Sequence, residues 1–473
     1  MDGLTPEQVQ TLKVAGASIA VVKGFTTALR ALRLPARPTK QGLAADSRKA
    51  RAIYRSGDAL LGGWPPKPKR DAAQANAAEM VKGILRTARN AFARTYADVI
   101  YDKITCGCQR FDRVEELVYE VADLCPGLCP TRQEVEAELQ LAHAEKDGVE
   151  ISQSDFLSHV FANKRSGDHL LHAMLRPLPR SLDLLEKFRR DGLLDLGTAQ
   201  AERRGAAGYV LFNNLRYLNA EDDGTLVPLE TAVDLVLLDP SLQVGVLRGN
   251  PMDRGKYRGR RVFSAGLNLT RLYYGKLPLM FYFTRELGFV NKMQRGVAGD
   301  AYDPDGPEST LERLWIASLE AFAIGGGCQI LLVMDYVIAE EGSYFNLPAR
   351  KEGIIPGLAN MRLPRFLGER MAQDGILFDK QFPVEAPEAR LLVNEVVPAG
   401  EMDTAIERVV ASATEAGVIS AGANRKAIRV GAEPRDTLRR YMALYCREQG
   451  DCLFSPALIA NLERNWNAKD RRL

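Results

Sequence analysis

Two changes of texture along the chain predict an α/β protein with a large α-helical N-terminal domain and a helical C-terminal region. Up to residue 204, apolar side chains recur every three or four positions, as in amphipathic helices. From 205 to 400, short β-type runs alternate with longer helical patterns, which predicts a layered α/β core. After about 357 the pattern turns mostly helical, and residues 401–473 are expected to complete the active site or an oligomer interface.

In the first region, 5–33 and 72–104 carry the clearest helical spacing, the second rich in alanine, and shorter patterns follow at 113–124, 131–145 and 153–175. The breaker-rich "LPARPTKQGLAADS" and "GGWPPKPKRD" connect them. In the core, "GYVLFNNL", "VDLVLLD", "LQVGVLRG" and "RVFSAG" read as strands, while "LVPLETAVDLVLL" and "LERLWIASLEAFAIGG" read as helices. "MRLPRFLGERMAQDGILF" and "PALIANLERNW" are helical.

Composition excludes several classes. At 473 residues the chain exceeds one ordinary core, so two or more units are expected. Its 63 basic residues nearly balance 60 acidic ones without a long basic block, which argues against nucleic acid. No run of eighteen apolar residues suggests a membrane span, and "MDGLTPEQVQ" lacks a signal-peptide pattern, so the expected location is cytoplasmic.

Seven cysteines, an odd number without a signal sequence, point to reduced thiols. Cys106, Cys108, Cys125 and Cys129 depart from the paired C-x2-C spacing of tetrahedral zinc sites, so no metal is expected. All four histidines lie between 143 and 172, which leaves the later chain without an imidazole base, a Ser-His-Asp triad or a two-histidine iron site. His169 and His172 have helical spacing that suits a metal, but without a third ligand nearby they read as polar edges of an amphipathic helix.

Two stretches place small residues and bare backbone beside apolar runs: "FSAGLNLTRLYYG" at 263–275 and "AIGGGCQILLVMDYVIAEEGSYFNLPA" at 323–349. Backbone N–H groups from two such turns, converging, would make an oxyanion hole. A phosphate cradle is the rival, yet neither G-x4-G-K-[ST] nor G-x-G-x-x-G is present. Close backbone packing also explains many glycine runs.

The ordered set "RVFSAGLNL", "AIGGGCQILLVMDYVIAEEGSYFNLPARKEGIIPG" and "RLPRFLG" resembles the crotonase (enoyl-CoA hydratase/isomerase) superfamily. The resemblance implies a ββα spiral core, an acyl-CoA thioester substrate, and an oxyanion hole formed by the N–H groups of Leu267 and Gly326. It also implies a homo-oligomer, a trimer or hexamer. Hydratases of the superfamily carry glutamates where this chain has Gln329 and Ala349. An amide and a methyl group cannot serve as the acid/base pair, so alkene hydration is not expected.

The glutamine of "GGGCQ", together with "LRYLNAEDDGTLVPLE", "YRGRRVFSAGLNL" and "REL" at 285–287, is similar to the superfamily's cofactor-independent dioxygenases of glycopeptide-antibiotic biosynthesis. Those enzymes join O2 to a (3,5-dihydroxyphenyl)acetyl thioester without metal or organic cofactor. The likeness implies Glu221 and Arg285 near the phenolic end of the substrate and Gln329 near the thioester or peroxide. It implies Ala265, Gly266 and Asn268 along the thioester and pantetheine, and Arg254 and Tyr257 where CoA is gripped. Gly327 and Cys328 border the same site, Cys328 as a small packed residue without a cationic partner to make it a nucleophile. Leu269 and Ile324 could bound a small apolar O2 pocket or simply pack. On composition alone, Glu221 in "NAEDDG" reads as a surface residue, and Arg285 beside Glu286 as a helix-face ion pair. Two alternatives stand beside the dioxygenase: another enolate enzyme (isomerase, decarboxylase or thioester hydrolase), or a non-catalytic acyl-CoA-binding protein.

Overall fold

A computed structural model describes residues 3–304, 306, 308–415 and 417–473, so Met1 and Asp2 of the expected N-terminal domain lie outside the described residues. The chain divides into two units. The first comprises residues up to Leu170 with two later segments, Tyr273–Leu279 and Met442–Phe454. The second holds Leu171–Leu272, Met280–Tyr441 and Ser455–Leu473. The expected boundary at 204 thus falls at 170, because the helix at Pro179–Asp191 packs on the helix that follows the first strands.

The first unit is helical: α1 (Pro6–Val14), α2 (Ile19–Ala31), α3 (Lys40–Leu61), α4 (Ala72–Ile104), α5 (Val114–Leu124), α6 (Arg132–Leu139) and α7 (Ile151–Ala162). The helical spacing over 5–33 is interrupted at Gly16, whose φ of +79° follows the end of α1. Helix α4 begins where Asp71 and Gln74 cap one another, each side chain accepting the other's backbone N–H at 2.9 and 3.2 Å. Its buried alanines, 77, 78, 88 and 93, let neighbouring helices approach, and Gly57 of α3 lies against Leu85. The two later segments are tied in by hydrogen bonds: the Leu279 N–H donates to Glu150 Oε1 at 2.8 Å, and His143 Nε2 meets the Leu453 carbonyl at 2.7 Å.

The second unit is built on β1 (Leu193–Asp195), β2 (Ala199–Arg204), β3 (Ala207–Phe212), β4 (Val244–Gly249), β5 (Leu314–Leu319), β6 (Phe322–Ile324), β7 (Tyr336–Glu340), β8 (Tyr344–Asn346), β9 (Gln381–Pro383) and β10 (Glu395–Val397). One sheet runs β1-β2-β3-β4-β5-β7-β10, antiparallel through β3 and parallel beyond it. A smaller sheet runs β9-β8-β6. One face of the large sheet is covered by the helix Met402–Glu415, whose Met402, Ile406 and Val409 pack on Tyr209, Val246, Ile316 and Ile338.

Among the further helices of this unit are α8 (Pro179–Asp191), α9 (Asp223–Leu238), α10 (Met280–Arg285), α11 (Gly326–Leu331), α12 (Ala349–Glu352), α13 (Ala359–Phe378) and α14 (Pro456–Trp466). Helix α9 absorbs "VDLVLLD", which therefore is not a strand. Conversely "LERLWIASLEAFAIGG" folds as β5, β6 and a turn rather than a helix. Trp315 through Leu319 are all buried, and a strand covered on both faces shows no alternation that would separate it from a helix.

Candidate active site

The segment at 263–268 is held by ladder-like bonds on both flanks. Ser264 bridges Ala323 in parallel: its N–H donates to the Phe322 carbonyl at 3.2 Å, and its carbonyl accepts from Ile324 at 3.0 Å. Leu267 bridges Glu221: the Glu221 N–H donates to the Gly266 carbonyl at 2.6 Å, and the Asn268 N–H donates to the Glu221 carbonyl at 2.8 Å. In such a parallel pairing the central residue's own N–H points away from its partner. Among the described residues no hydrogen bond takes up the N–H of Leu267 or of Gly326.

Glycine is demanded where the two turns meet. Gly266 has φ +79°, and a Cβ there would stand 2.5 Å from the Ile324 carbonyl oxygen and 3.1 Å from the Gly326 nitrogen. Those distances bring the two turns of the expected oxyanion hole together. A Cβ on Gly327 would lie 2.8 Å from Ser264 Cβ, so this residue serves close packing.

Beside the glycines lies a buried ionic cluster. Arg285 donates through Nε and Nη2 to the two oxygens of Glu221 at 2.7 and 2.9 Å, through Nη2 to the Gly326 carbonyl at 2.8 Å, and through Nη1 to Gln329 Oε1 at 2.8 Å and to Glu286. Glu221 and Arg285 are 1% and 4% exposed, so neither is the surface charge that composition suggests. The five contacts match the five N–H groups of a guanidinium. Helix α10 runs directly into a wide π-type turn at Glu286–Val290, which sets adjacent Arg285 and Glu286 against the same cluster.

Tyr257, Ala265 and Ile324 are half-buried with Leu215, Leu218 and Tyr344 around Met252, Val262 and Phe322, an apolar cluster beside the glycine turns. Leu269 is half-buried at the start of a short helix. The Asn268 amide donates to Asp222 at 2.9 Å and its side-chain oxygen accepts from the Arg271 N–H at 3.2 Å, so its side chain fastens the turn. Arg254 is exposed and pairs with neighbouring Asp253 at 2.9 Å. Cys328 is buried, and burial pushes its thiol far above the ordinary range, which fits a packed residue.

One residue escaped the sequence reading. Glu352 is 5% exposed, and burial, with a smaller push from Asp379, raises its carboxyl to about 7. The spacing from Ala349 to Glu352, one helical turn, was the available signal.

Among the described residues, no group of three or more His, Cys, Asp or Glu side chains could hold a metal ion, and no helix is long and apolar enough to cross a membrane. Cys106 and Cys108 are partly or fully exposed while Cys125 and Cys129 are buried. His169 instead sits 2.6 Å from the Tyr101 hydroxyl and stacks on Phe111.

Residues 308–448 match the enoyl-CoA hydratase/isomerase family. The chain is 43% identical over 406 residues to the (3,5-dihydroxyphenyl)acetyl-CoA 1,2-dioxygenase of Amycolatopsis orientalis, covering 86% of this chain and 92% of that protein. It is 28% identical over 218 residues to a short-chain-enoyl-CoA hydratase of Clostridium acetobutylicum, 45% of this chain and 74% of that one. Among solved structures, the carnitinyl-CoA hydratase of Mycobacterium avium aligns with a TM-score of 0.47 at 22% identity, over 59% of this chain and 97% of that chain. At 43% identity along 86% of its length to one of these enzymes, the chain belongs to the crotonase (enoyl-CoA hydratase/isomerase) superfamily.

Proposed function

We propose that the protein is a dioxygenase that joins O2 to (3,5-dihydroxyphenyl)acetyl-CoA and releases 3,5-dihydroxyphenylglyoxylate and CoA. The observation that carries this reading is the 43% identity, along 86% of the chain, to the dioxygenase of Amycolatopsis orientalis. Two local features support it. Gln329 and Ala349 stand where hydratases carry their acid/base glutamates, and the N–H groups of Leu267 and Gly326 are available to an oxyanion.

The chemistry follows from these parts. An aryl ring delocalises charge on the α-carbon while two N–H donors hold the enolate oxygen, and losing one such donor costs about 3 kcal/mol at the transition state. The enolate is the reductant: it passes electrons to O2, and the carbon–oxygen bond that forms gives an α-peroxide. The peroxide adds to the thioester carbonyl and expels CoA; cleavage of the oxygen–oxygen bond with loss of the second α-hydrogen leaves the arylglyoxylate. Both oxygen atoms enter the product, and neither metal nor organic cofactor is required. The buried cluster around Arg285 helps to keep water from the enolate.

The test is oxygen-electrode turnover of (3,5-dihydroxyphenyl)acetyl-CoA with a strong chelator present and labelled O2 in solution. Stoichiometric uptake with two labelled atoms in the arylglyoxylate is expected. Intact thioester, or simple hydrolysis without O2 uptake, would move the assignment to another enolate chemistry.

A further inference from the structure

The superfamily's two hydratase glutamates are absent, which leaves open the group that removes the α-proton. Helix α12 spans only Ala349–Glu352, and its ends share a face: both are buried, whereas the Arg350 and Lys351 side chains between them are 61% and 47% exposed. The carboxylate missing at 349 is therefore present one turn later, on the inward side.

Its position is defined by Gly325. The space that a Cβ on Gly325 would occupy lies 3.4 and 3.8 Å from the two Glu352 carboxylate oxygens and 4.0 Å from Gly266 Cα. Both oxyanion turns and this carboxylate thus converge on one small volume, with the Gly326 N–H in the next peptide. No hydrogen bond or ion pair engages the Glu352 carboxylate among the described residues. The cations next to it in sequence, Arg350 and Lys351, are both turned to Asp379. A 95% buried carboxylate without a partner is costly for folding, which calls for a use.

Resting on the dioxygenase reading above, we propose that Glu352 is the general base that removes the first α-proton of the thioester. One Glu352 oxygen takes the proton, the carbon–hydrogen electron pair forms the enolate double bond, and the carbonyl electrons move onto the oxygen facing Leu267 and Gly326. The proton returns to solvent through the CoA thiol when CoA leaves. Asp379 is the charged group that acts on the Glu352 carboxyl, and burial with Asp379 places its titration about 7, where a base is effective at neutral pH.

The test is anaerobic exchange of the α-hydrogens of (3,5-dihydroxyphenyl)acetyl-CoA in D2O, followed by mass spectrometry, with thioester affinity measured alongside. Glu352→Gln should slow exchange and O2 uptake together by about 100-fold or more with affinity nearly unchanged, and Glu352→Asp should retain a measurable fraction of both. Wild-type exchange should rise with pH through about 7, a rise missing from Glu352→Gln. Exchange in Glu352→Gln within a few-fold of wild type overturns the proposal. Wild-type exchange without O2 uptake overturns the dioxygenase reading instead, and the Glu352→Gln comparison still decides the base.

Discussion

Arg285 grips Glu221 through two hydrogen bonds of 2.7 and 2.9 Å, and the same guanidinium holds the carbonyl of Gly326 at 2.8 Å. One cation therefore links the acidic cluster to the peptide of the second glycine turn. Removing it strands two buried carboxylates, and breaking such a pair costs about 3–5 kcal/mol. Arg285→Ala is expected to lower the unfolding free energy by that order in urea denaturation. Glu221→Gln should be milder and should reduce the preference for (3,5-dihydroxyphenyl)acetyl-CoA over phenylacetyl-CoA in kcat/KM. An unchanged preference would remove Glu221 from the phenolic pocket.

Gly326→Ala places a methyl group 2.5 Å from Glu221 Oε1, which Arg285 prevents from moving aside. The expected result is a fall in kcat of about 100-fold or more, from displacement of one oxyanion donor. Steady-state kinetics on a folded variant, with circular dichroism as the control, would measure it; kcat near wild type would exclude the Gly326 N–H from the reaction.

Gln329 accepts from Arg285 Nη1, the nitrogen that also serves Glu286. Gln329→Glu adds a third carboxylate to a cluster in which one guanidinium already faces two. O2 uptake should be badly impaired, and crotonyl-CoA hydration should not appear, because position 349 remains alanine. Unimpaired uptake would separate Gln329 from the mechanism.

Acid sensitivity should trace to Glu433. Burial would raise its carboxyl, but Arg362, Arg295 and Arg365, with Arg362 bonding at 2.9 and 3.0 Å, outweigh burial and hold it far below the usual range. Because the folded form is depressed, its stabilisation is complete above the unfolded value, about 4.3, and is lost as pH falls through and below it. The melting temperature should therefore drop below about pH 5, and Glu433→Gln should lower it at neutral pH while flattening that drop. A steep acid transition surviving in the variant would assign the effect elsewhere.

Arg254 pairs only with its exposed neighbour Asp253 among the described residues, so Arg254→Ala should leave the melting temperature unchanged. If it grips CoA, KM for the thioester rises several-fold with kcat preserved. Equal KM would leave it a solvated side chain.

Much of this was legible in the residues themselves. Glycines next to apolar runs mark turns whose N–H groups are free, and residue type alone shows Gln329 and Ala349 where hydratases carry glutamates. The long alanine-rich α4 follows from its spacing and its cap. Buried strands were the weak point: β5 is apolar on both faces, so its period cannot distinguish strand from helix.

The family, the two glycine turns and the missing hydratase acids are each a matter of residue type at a position, so the residues alone establish them. The burial and pairing of Glu221 with Arg285, the fastening of a turn by Asn268 and the approach of Glu352 to Gly325 emerge from the three-dimensional fold. Charge partnership and burial depend on residues distant in the chain, and they become defined only when the fold brings those residues together.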